Sequence, residues 1–392
     1  MASVQKQVLI LCDYYLPGYK AGGPIRSLAN MVDQLGDDFH FKIITRNNDL
    51  GDDHAYRDIT PGAWSRIGKA EVCHLAPESR TLLGLKRLLR ATEYDLLYTN
   101  SLFSYTFSIK PLLLRRIGLI PRAPVVLAPR GELSTGALAL KRFKKRLYLM
   151  VAKVLALYRD IIWHASSDYE AADIRRRFGE RVSIKVAPNL PAHVLNLNGR
   201  KDGRQKTPGH LKIIFISRVD RKKNLRGALT ILKEATGDIQ FNIYGPLEDR
   251  DYWAECQKII DLLPPNIRVS YRGGVEHEKS LAVLREHDLF FMPTLGENFG
   301  HVIMEALLAG CPVLISDQTP WRGLEEKGIG WDLPLSDTSR FRSVIAKCVA
   351  MGAEEFARRS AAAHSFALEI AQDESVLRQN RQLFQFALSK IK

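Results

Sequence analysis

Residues Asp288–Val313 read DLFFMPTLGENFGHVIMEALLAGCPV. Asp288–Thr294 is a short apolar run of strand length, and the Gly and Asn within Leu295–Phe299 break regular structure. From Gly300 the apolar side chains fall at Val302, Ile303, Leu307 and Leu308, a helical spacing that Gly310 and Pro312 bring to an end. Val313–Ile315 begins another strand. Strand, loop and helix in this order are the grammar of a doubly wound α/β sheet, with each loop above the carboxyl end of its strand.

A helix that opens just past a strand aims its unpaired N–H groups, and the positive end of its dipole, into the crevice above the sheet. That is a site for a phosphate. Glu297 lies in the loop, and Glu305 lies about one and a half turns into the helix at 3.6 residues per turn. A carboxylate repels a phosphate, so these two are better employed accepting hydrogen bonds from sugar hydroxyls. The plainer alternative is a pair of solvated glutamates, and for Glu305 the apolar neighbours Met304, Ala306, Leu307 and Leu308 argue against it. The phrase ENFGHVIME (Glu297–Glu305) resembles the donor-site motif of retaining nucleotide-sugar glycosyltransferases of family 4, the glycosyl transferases group 1.

The chain has 392 residues, 46% hydrophobic and 26% charged, which suits a soluble globular protein of two domains. Cys12, Cys73, Cys256, Cys311 and Cys348 form no CxxC pair and have no His at ligand spacing; they read as reduced core thiols in a cytosolic protein. No leader sequence is expected at Val8–Cys12, and the most lipid-like stretch, Leu147–Tyr158, is too short to span a bilayer. A cytoplasmic protein, soluble or at the inner face of the membrane, is therefore expected. The net charge of +14 is uneven: an excess of 11 basic residues over 1–190, 3 over 191–210, and balance over 211–392. A basic first half calls for an anionic surface, nucleic acid or a membrane leaflet.

In chain order, the strand Val8–Cys12 leads into Gly22-Gly23 and a helix over Ile25–Leu35; paired glycines admit a sugar or phosphate close to the backbone, as they also admit a tight turn. Phe41–Thr45 is a strand. Asp52 and Asp53 in the loop Asp49–Ala63 read as plain carboxylates, since no further acidic residues stand at ligand spacing. Leu83–Ala91 and Phe107–Ile117 read as helices, Leu96–Thr99 and Val125–Leu127 as strands. Over Lys141–Asp160, Leu140, Phe143, Leu147, Met150, Val151, Val154 and Leu157 form one apolar stripe with basic residues gathered at its start. This is either a helix lying on anionic lipid or one packed on its own domain, and the basic balance favours lipid. His164 reads as structural. Residues 191–210 are polar, Gly-rich and aperiodic, a linker. Strands then resume at Leu211–Ile216, Ile239–Tyr244, Ile267–Tyr271 and Ile329–Leu333, with helices over Leu225–Glu234, Tyr252–Leu263, Lys279–His287, Ser339–Met351, Glu354–Phe366 and Glu374–Ile391. Asp249-Arg250-Asp251 reads as the polar start of a helix, not a metal site.

Arg218 and Lys223, five apart in a strand-to-helix loop, can converge on one diphosphate. They resemble the same family's second donor motif, with Asn224 in place of the more usual Gly. The resemblance implies two facing doubly wound Rossmann-like domains (GT-B) with the active site in the interdomain cleft: an acceptor-binding domain at 1–190 completed by the last helix, 374–392, and a nucleotide-sugar-binding domain at 211–373. It implies a UDP- or GDP-sugar donor held by Arg218, Lys223 and the N–H groups around Gly300, His301 and Val302, with Phe299 at the turn. Glu305 would hold the ribose and Glu297 the transferred sugar, while Gly274 and Val275 sit where relatives place a loop against the base. Gly22 and Gly23 belong to the same set of binding residues. Arg218, Lys223 and Glu297 form the catalytic group. Asp317–Trp321 resembles the sugar-end loop and its apolar lid. Arg130 stands where relatives often carry an active-site His; it can bind an anion on the acceptor side but cannot act as a base. Transfer with retention, without metal or cofactor, to a saccharide acceptor on a lipid carrier in cell-surface polysaccharide assembly is the implied activity. A nucleotide-sugar 2-epimerase of similar architecture and a basic nucleic-acid-binding protein are the rivals. The ENFGHVIME pattern disfavours the first, and the absence of a reading motif disfavours the second, so no nucleic-acid partner is expected.

Overall fold

The computed structural model describes residues 5–139, 142–192 and 206–390. The chain divides into two compact units, one within Met1–His193 and Asp373–Lys392, the other within Val194–Gln372. Most of the linker expected at 191–210 lies outside the described residues, as do Leu140 and Lys141.

The first unit is a doubly wound sheet. Its elements are β1 (Lys6–Leu11), α1 (Gly23–Leu35), β2 (Phe39–Arg46), β3 (Trp64–Ile67), β4 (Ala70–Leu75), α2 (Leu82–Ala91), β5 (Leu96–Thr99), α3 (Lys110–Arg116), β6 (Val125–Leu127), α4 (Thr135–Ala139), α5 (Arg142–Val154), β7 (Ile161–Ala165), α6 (Asp168–Phe178) and β8 (Ser183–Val186). The strand order is β3-β4-β2-β1-β5-β6-β7-β8. All neighbours are parallel except β3 with β4. Strands of a parallel sheet are buried on both faces, which is why β1 is apolar from Val8 onward: Val8 and Ile10 enter one core, Leu9 and Leu11 the other.

Three local features depart from the expectation. The stretch before Leu75 forms the β3–β4 hairpin, which the sequence pattern does not reveal because Trp64, Ser65 and Arg66 are all exposed on this edge strand and give no apolar alternation. The helix expected at Phe107–Ile117 is a π-helical turn at Tyr105–Ile109 that runs into α3, with Pro111 in the first turn where its missing N–H costs nothing. The long amphipathic stretch is the shorter α5, followed by turns with Ala156 and Asp160 at positive φ.

The second unit repeats the plan with β9 (His210–Ile216), α7 (Leu225–Leu232), β10 (Asp238–Tyr244), α8 (Arg250–Ile260), β11 (Ile267–Tyr271), α9 (His277–Arg285), β12 (Leu289–Met292), α10 (His301–Leu308), β13 (Val313–Ser316), β14 (Gly330–Leu333), α11 (Thr338–Ala350) and α12 (Ala353–Ala371). Its six strands are ordered β11-β10-β9-β12-β13-β14, all parallel. Ile213, Ile214, Phe215, Phe290, Phe291 and Leu314 are fully buried in its core. The chain ends in α13 (Glu374–Leu388), which belongs to the first unit. There Phe384 packs its ring 5.8 Å from Phe41 and 5.9 Å from Tyr98, and Asn380 donates to the Pro188 carbonyl at 2.8 Å.

Both sheets have one switch point, where connections leave to opposite sides: between β1 and β5 in the first unit and between β9 and β12 in the second. In open α/β sheets ligands bind above the strand ends at that point.

Candidate functional site

The second unit's switch point is built from two loops, one after β9 and one after β12, and their stitching is explicit. Lys222 O accepts from Leu295 N at 2.8 Å and from Thr294 Oγ1 at 3.1 Å. Asn224 Nδ2 donates to Pro293 O at 2.8 Å, while its Oδ1 caps α7 at Gly227 N. Asn224 stands where Gly is more usual because its φ is +59°, a left-handed conformation that Asn tolerates better than most residues.

This stitching brings Lys223 and Glu297, far apart in sequence, into a buried ion pair between Nζ and Oε1. Glu297 N also donates to Gln318 O at 2.9 Å, and Ser316 Oγ to Thr294 O at 2.5 Å, so the sugar-end loop supports the same carboxylate. Burial alone would raise the Glu297 pKa, but Lys223, Lys222 and Arg218 outweigh it and hold the carboxyl below its ordinary value. Arg218 is paired with Glu248 and lies 3.6 Å from Asp220, whose carboxylate caps the Arg221–Lys223 turn. The three catalytic residues expected from the sequence thus share one charged cluster. Lys222, Asp220, Glu248 and Thr294 belong to it too. They went unread because their partners lie tens of residues away; the run Arg221-Lys222-Lys223 was the only local signal.

Three residues after Glu297, α10 opens at Gly300, whose φ of +80° is left-handed and where a Cβ would sit 2.7 Å from Ile303 Cδ1. First-turn N–H groups, those of His301 and Val302 here, have no helical acceptor. Phe299 lies between His301 and Trp321, with ring centres 4.8 and 5.7 Å away, and Trp321 Nε1 donates to Phe299 O at 2.5 Å. Trp321 is thereby tied to the segment that leads into α10. Glu305 is held by Ser280 Oγ at 3.0 Å and faces His277 Nδ1 at 3.4 Å, so α9, a helix expected over Lys279–His287 but not as a support for this carboxylate, orients it. On the loop after β11, Gly273 O accepts from Gly245 N at 2.7 Å, which ties the segment of Gly274 and Val275 to the end of β10. Asp249 caps α8 at Tyr252 N and pairs with Arg221 at 3.3 Å; the DRD stretch is a helix start.

The first unit holds Gly22, Gly23 and Arg130. Gly22 precedes α1 at φ +67°, and Asp49 anchors the approach to it by accepting from the N–H groups of Tyr19 and Lys20. Asp52 pairs with Lys20. Arg130, itself at φ +55°, donates through Nε to Asn100 Oδ1 at 2.6 Å, through Nη2 to the Tyr98 hydroxyl at 2.9 Å, and through Nη1 to Asn189. Tyr98 in turn meets His164 Nδ1 at 2.7 Å, and His164 Nε2 meets the Ala187 carbonyl at 2.8 Å. Burial, then the Arg130 charge, pushes the His164 pKa down to about 3, so the ring is neutral and structural. Gly131 N donates to Glu170, and Glu132 accepts from Ser101 Oγ and from the N–H groups of Leu102 and Phe103. The loop Pro129–Leu133, after β6, is therefore a clasp joining the ends of neighbouring strands.

Residues 200–332 match the family model of glycosyl transferases group 1. Over 263 residues the chain is 24% identical to an uncharacterized 41.2 kDa protein in the cps region of Klebsiella pneumoniae, covering 65% of this chain and 68% of that one. It is 25% identical over 139 residues to a phosphatidyl-myo-inositol mannosyltransferase of Mycobacterium leprae, 34% of this chain and 36% of that one. In structure it resembles Anabaena Alr3699/HepE, solved in complex with UDP-glucose, with a TM-score of 0.70 and 19% identity over 98% of this chain and 99% of that one. That likeness gives the fold, GT-B.

Proposed function

We propose, from the premise that this chain is a group 1 glycosyltransferase of the GT-B fold, that it moves a hexosyl group from a UDP- or GDP-sugar to a saccharide acceptor with retention of configuration. The observation that carries the donor site is the buried Lys223–Glu297 pair, which joins the loops leading into α7 and α10, with the charge of Arg218 acting on it. When the sugar–phosphate bond breaks, its electron pair goes to the leaving diphosphate and positive charge builds on the anomeric carbon. Lys223, Arg218 and the first-turn N–H groups of α10 are fixed before the reaction and face that growing negative charge, so they stabilise the transition state more than the ground state. Glu297 accepts from hydroxyls of the transferred sugar, Glu305 from the ribose, and Gly274 and Val275 border the base. Gly22 and Gly23 let the substrates approach the backbone of the first unit. No metal or cofactor is assigned a part; the nucleotide sugar is a substrate.

The acceptor reading is a lipid-linked saccharide in cell-surface polysaccharide assembly, met at the inner face of the cytoplasmic membrane. It is supported by the cps-region relative and by a mannosyltransferase relative named for a lipid acceptor. It is supported also by α5, which exposes Phe143 (89%), Leu147, Met150, Val151 and Val154 (81%) along one face beside the exposed Lys144, Arg146 and Lys153. Leu157, expected in that stripe, is buried instead. No helix among the described residues is long and apolar enough to cross a membrane; an apolar stripe with basic flanks lies on anionic lipid. The test of the activity is release of nucleoside diphosphate from UDP- and GDP-hexoses when cell-envelope glycolipid is added. Release that depends on acceptor and drops at least 100-fold in Glu297→Ala supports the reading, and epimerised nucleotide sugar without transfer overturns it.

A further inference from the structure

We propose that the first unit carries a phosphate site of its own, formed by Arg46 and Arg80 at its switch point, and that this site takes a phosphate or diphosphate group on the acceptor. It rests on the reading above, in which the first unit receives the acceptor.

Arg46 is the last residue of β2, Arg80 ends the short turn Pro77–Arg80 after β4, and Asp13 and Tyr14 follow β1. All of them stand at carboxyl ends of neighbouring strands. Arg46 reaches Asp13 Oδ1 through Nε at 3.0 Å and Nη2 at 2.7 Å. Its guanidinium carbon lies 5.6 Å from the centre of the Tyr14 ring and 5.9 Å from that of Phe107, which follows β5, so it bridges the crevice between β1 and β5. Arg80 donates through Nε to Leu75 O and through Nη2 to Asn48 Oδ1, both at 2.9 Å. Each guanidinium is fixed by two nitrogens, and the Nη1 of each has no acceptor among the described residues.

Asp13 serves Arg46, while Arg80 is bonded to neutral oxygens only. The nearby Asp49 carboxylate is spent on the backbone N–H groups of Tyr19, Lys20 and Leu50. Burial, and next the charge of Arg46, pull the Arg80 pKa below its ordinary value, and these outweigh the opposing charges of Asp13 and Glu78. Lys110 adds a third cation by donating to Arg80 O at 2.5 Å. Two oriented guanidiniums, each with a nitrogen lacking an acceptor among the described residues and that of Arg46 over aromatic rings, fit a phosphate, which accepts several charge-assisted bonds at once. The site mirrors the second unit, whose switch point gathers Arg218 and Lys223.

The test is calorimetric titration of inorganic pyrophosphate into the full-length protein, with and without saturating UDP, for wild type, Arg80→Met and Arg46→Met. With UDP filling the donor site, wild type is expected to retain one pyrophosphate site, weakened at least tenfold in both variants, while UDP affinity, which also reports folding, is unchanged. Disappearance of all pyrophosphate binding once UDP is present, or unchanged affinity in both variants, overturns the proposal. If UDP binds none of the proteins, the donor reading falls, whereas pyrophosphate binding sensitive to Arg80→Met still upholds this site. A short polyprenyl diphosphate in detergent then separates the sources: tighter binding than pyrophosphate identifies a lipid carrier, equal binding a soluble phosphate.

Discussion

Glu297 combines burial with three nearby cations, and its partner Lys223 is the residue whose loss it would feel most. Removing one member of a buried pair leaves an uncompensated charge and typically costs about 3–5 kcal/mol. Lys223→Met is therefore expected to destabilise the protein by about 3 kcal/mol in urea unfolding at pH 7. The pH dependence has a definite sign. A carboxyl held below its unfolded value of 4.5 contributes stability above about that pH and loses it as pH falls through the depressed folded value. In Lys223→Met, burial is less opposed and the carboxyl pKa rises, so the stability this carboxyl loses on acidification should shrink, and should turn into a gain once the folded value passes the unfolded one. His164 acts in the same direction in its own window. Its pKa of about 3 against 6.5 unfolded means that the unfolded state binds a proton which the folded state refuses. Stability should rise by up to about 1.4 kcal/mol per pH unit between those values, and His164→Gln should flatten that part of the profile. Gly300→Ala forces a Cβ at left-handed φ against Ile303; about 1–2 kcal/mol from backbone strain and loss of donor binding are expected, measured by melting with and without nucleotide.

At the scale of elements, α5 shows where sequence reasoning reaches and stops. The stripe Phe143, Leu147, Met150, Val151 and Val154 was visible as a helical period, but a period does not say which face meets the core. Leu149 and Ala152, outside the stripe, are the side chains buried there. Phe143→Ser with Val154→Ser should change stability by less than about 0.5 kcal/mol, since exposed side chains bury nothing, and should reduce co-sedimentation with anionic vesicles. Leu149→Ala should cost about 2–5 kcal/mol. Equal binding of the double variant and wild type to vesicles would remove the membrane reading. The strand–loop–helix unit around Gly300 was legible because apolar run, breaker and helical period follow one another within 26 residues. The β3–β4 hairpin was not, because Trp64, Ser65 and Arg66 are all exposed and give no apolar alternation. The Lys223–Glu297 pairing was legible only as two motifs, since nothing local tells which side chains meet across the sheet.

Over the whole molecule, the two sheets place a cationic group at each switch point, and the excess of basic residues lies in the first half of the chain. Donor recognition by the second unit is the claim on which the rest depends, because the acceptor and membrane readings presuppose a transferase. It is tested most directly by thermal melting of wild type and Arg218→Met with UDP, GDP, ADP or CMP in the presence of chelator. A nucleotide at 100 times its dissociation constant stabilises the folded state by about 2.7 kcal/mol. The account predicts a clear upward shift with UDP or GDP for wild type and its loss in Arg218→Met, whose guanidinium lies at the surface of the cluster and can be removed without unfolding the unit. No shift with any nucleoside diphosphate, or an undiminished shift in the variant, would contradict it.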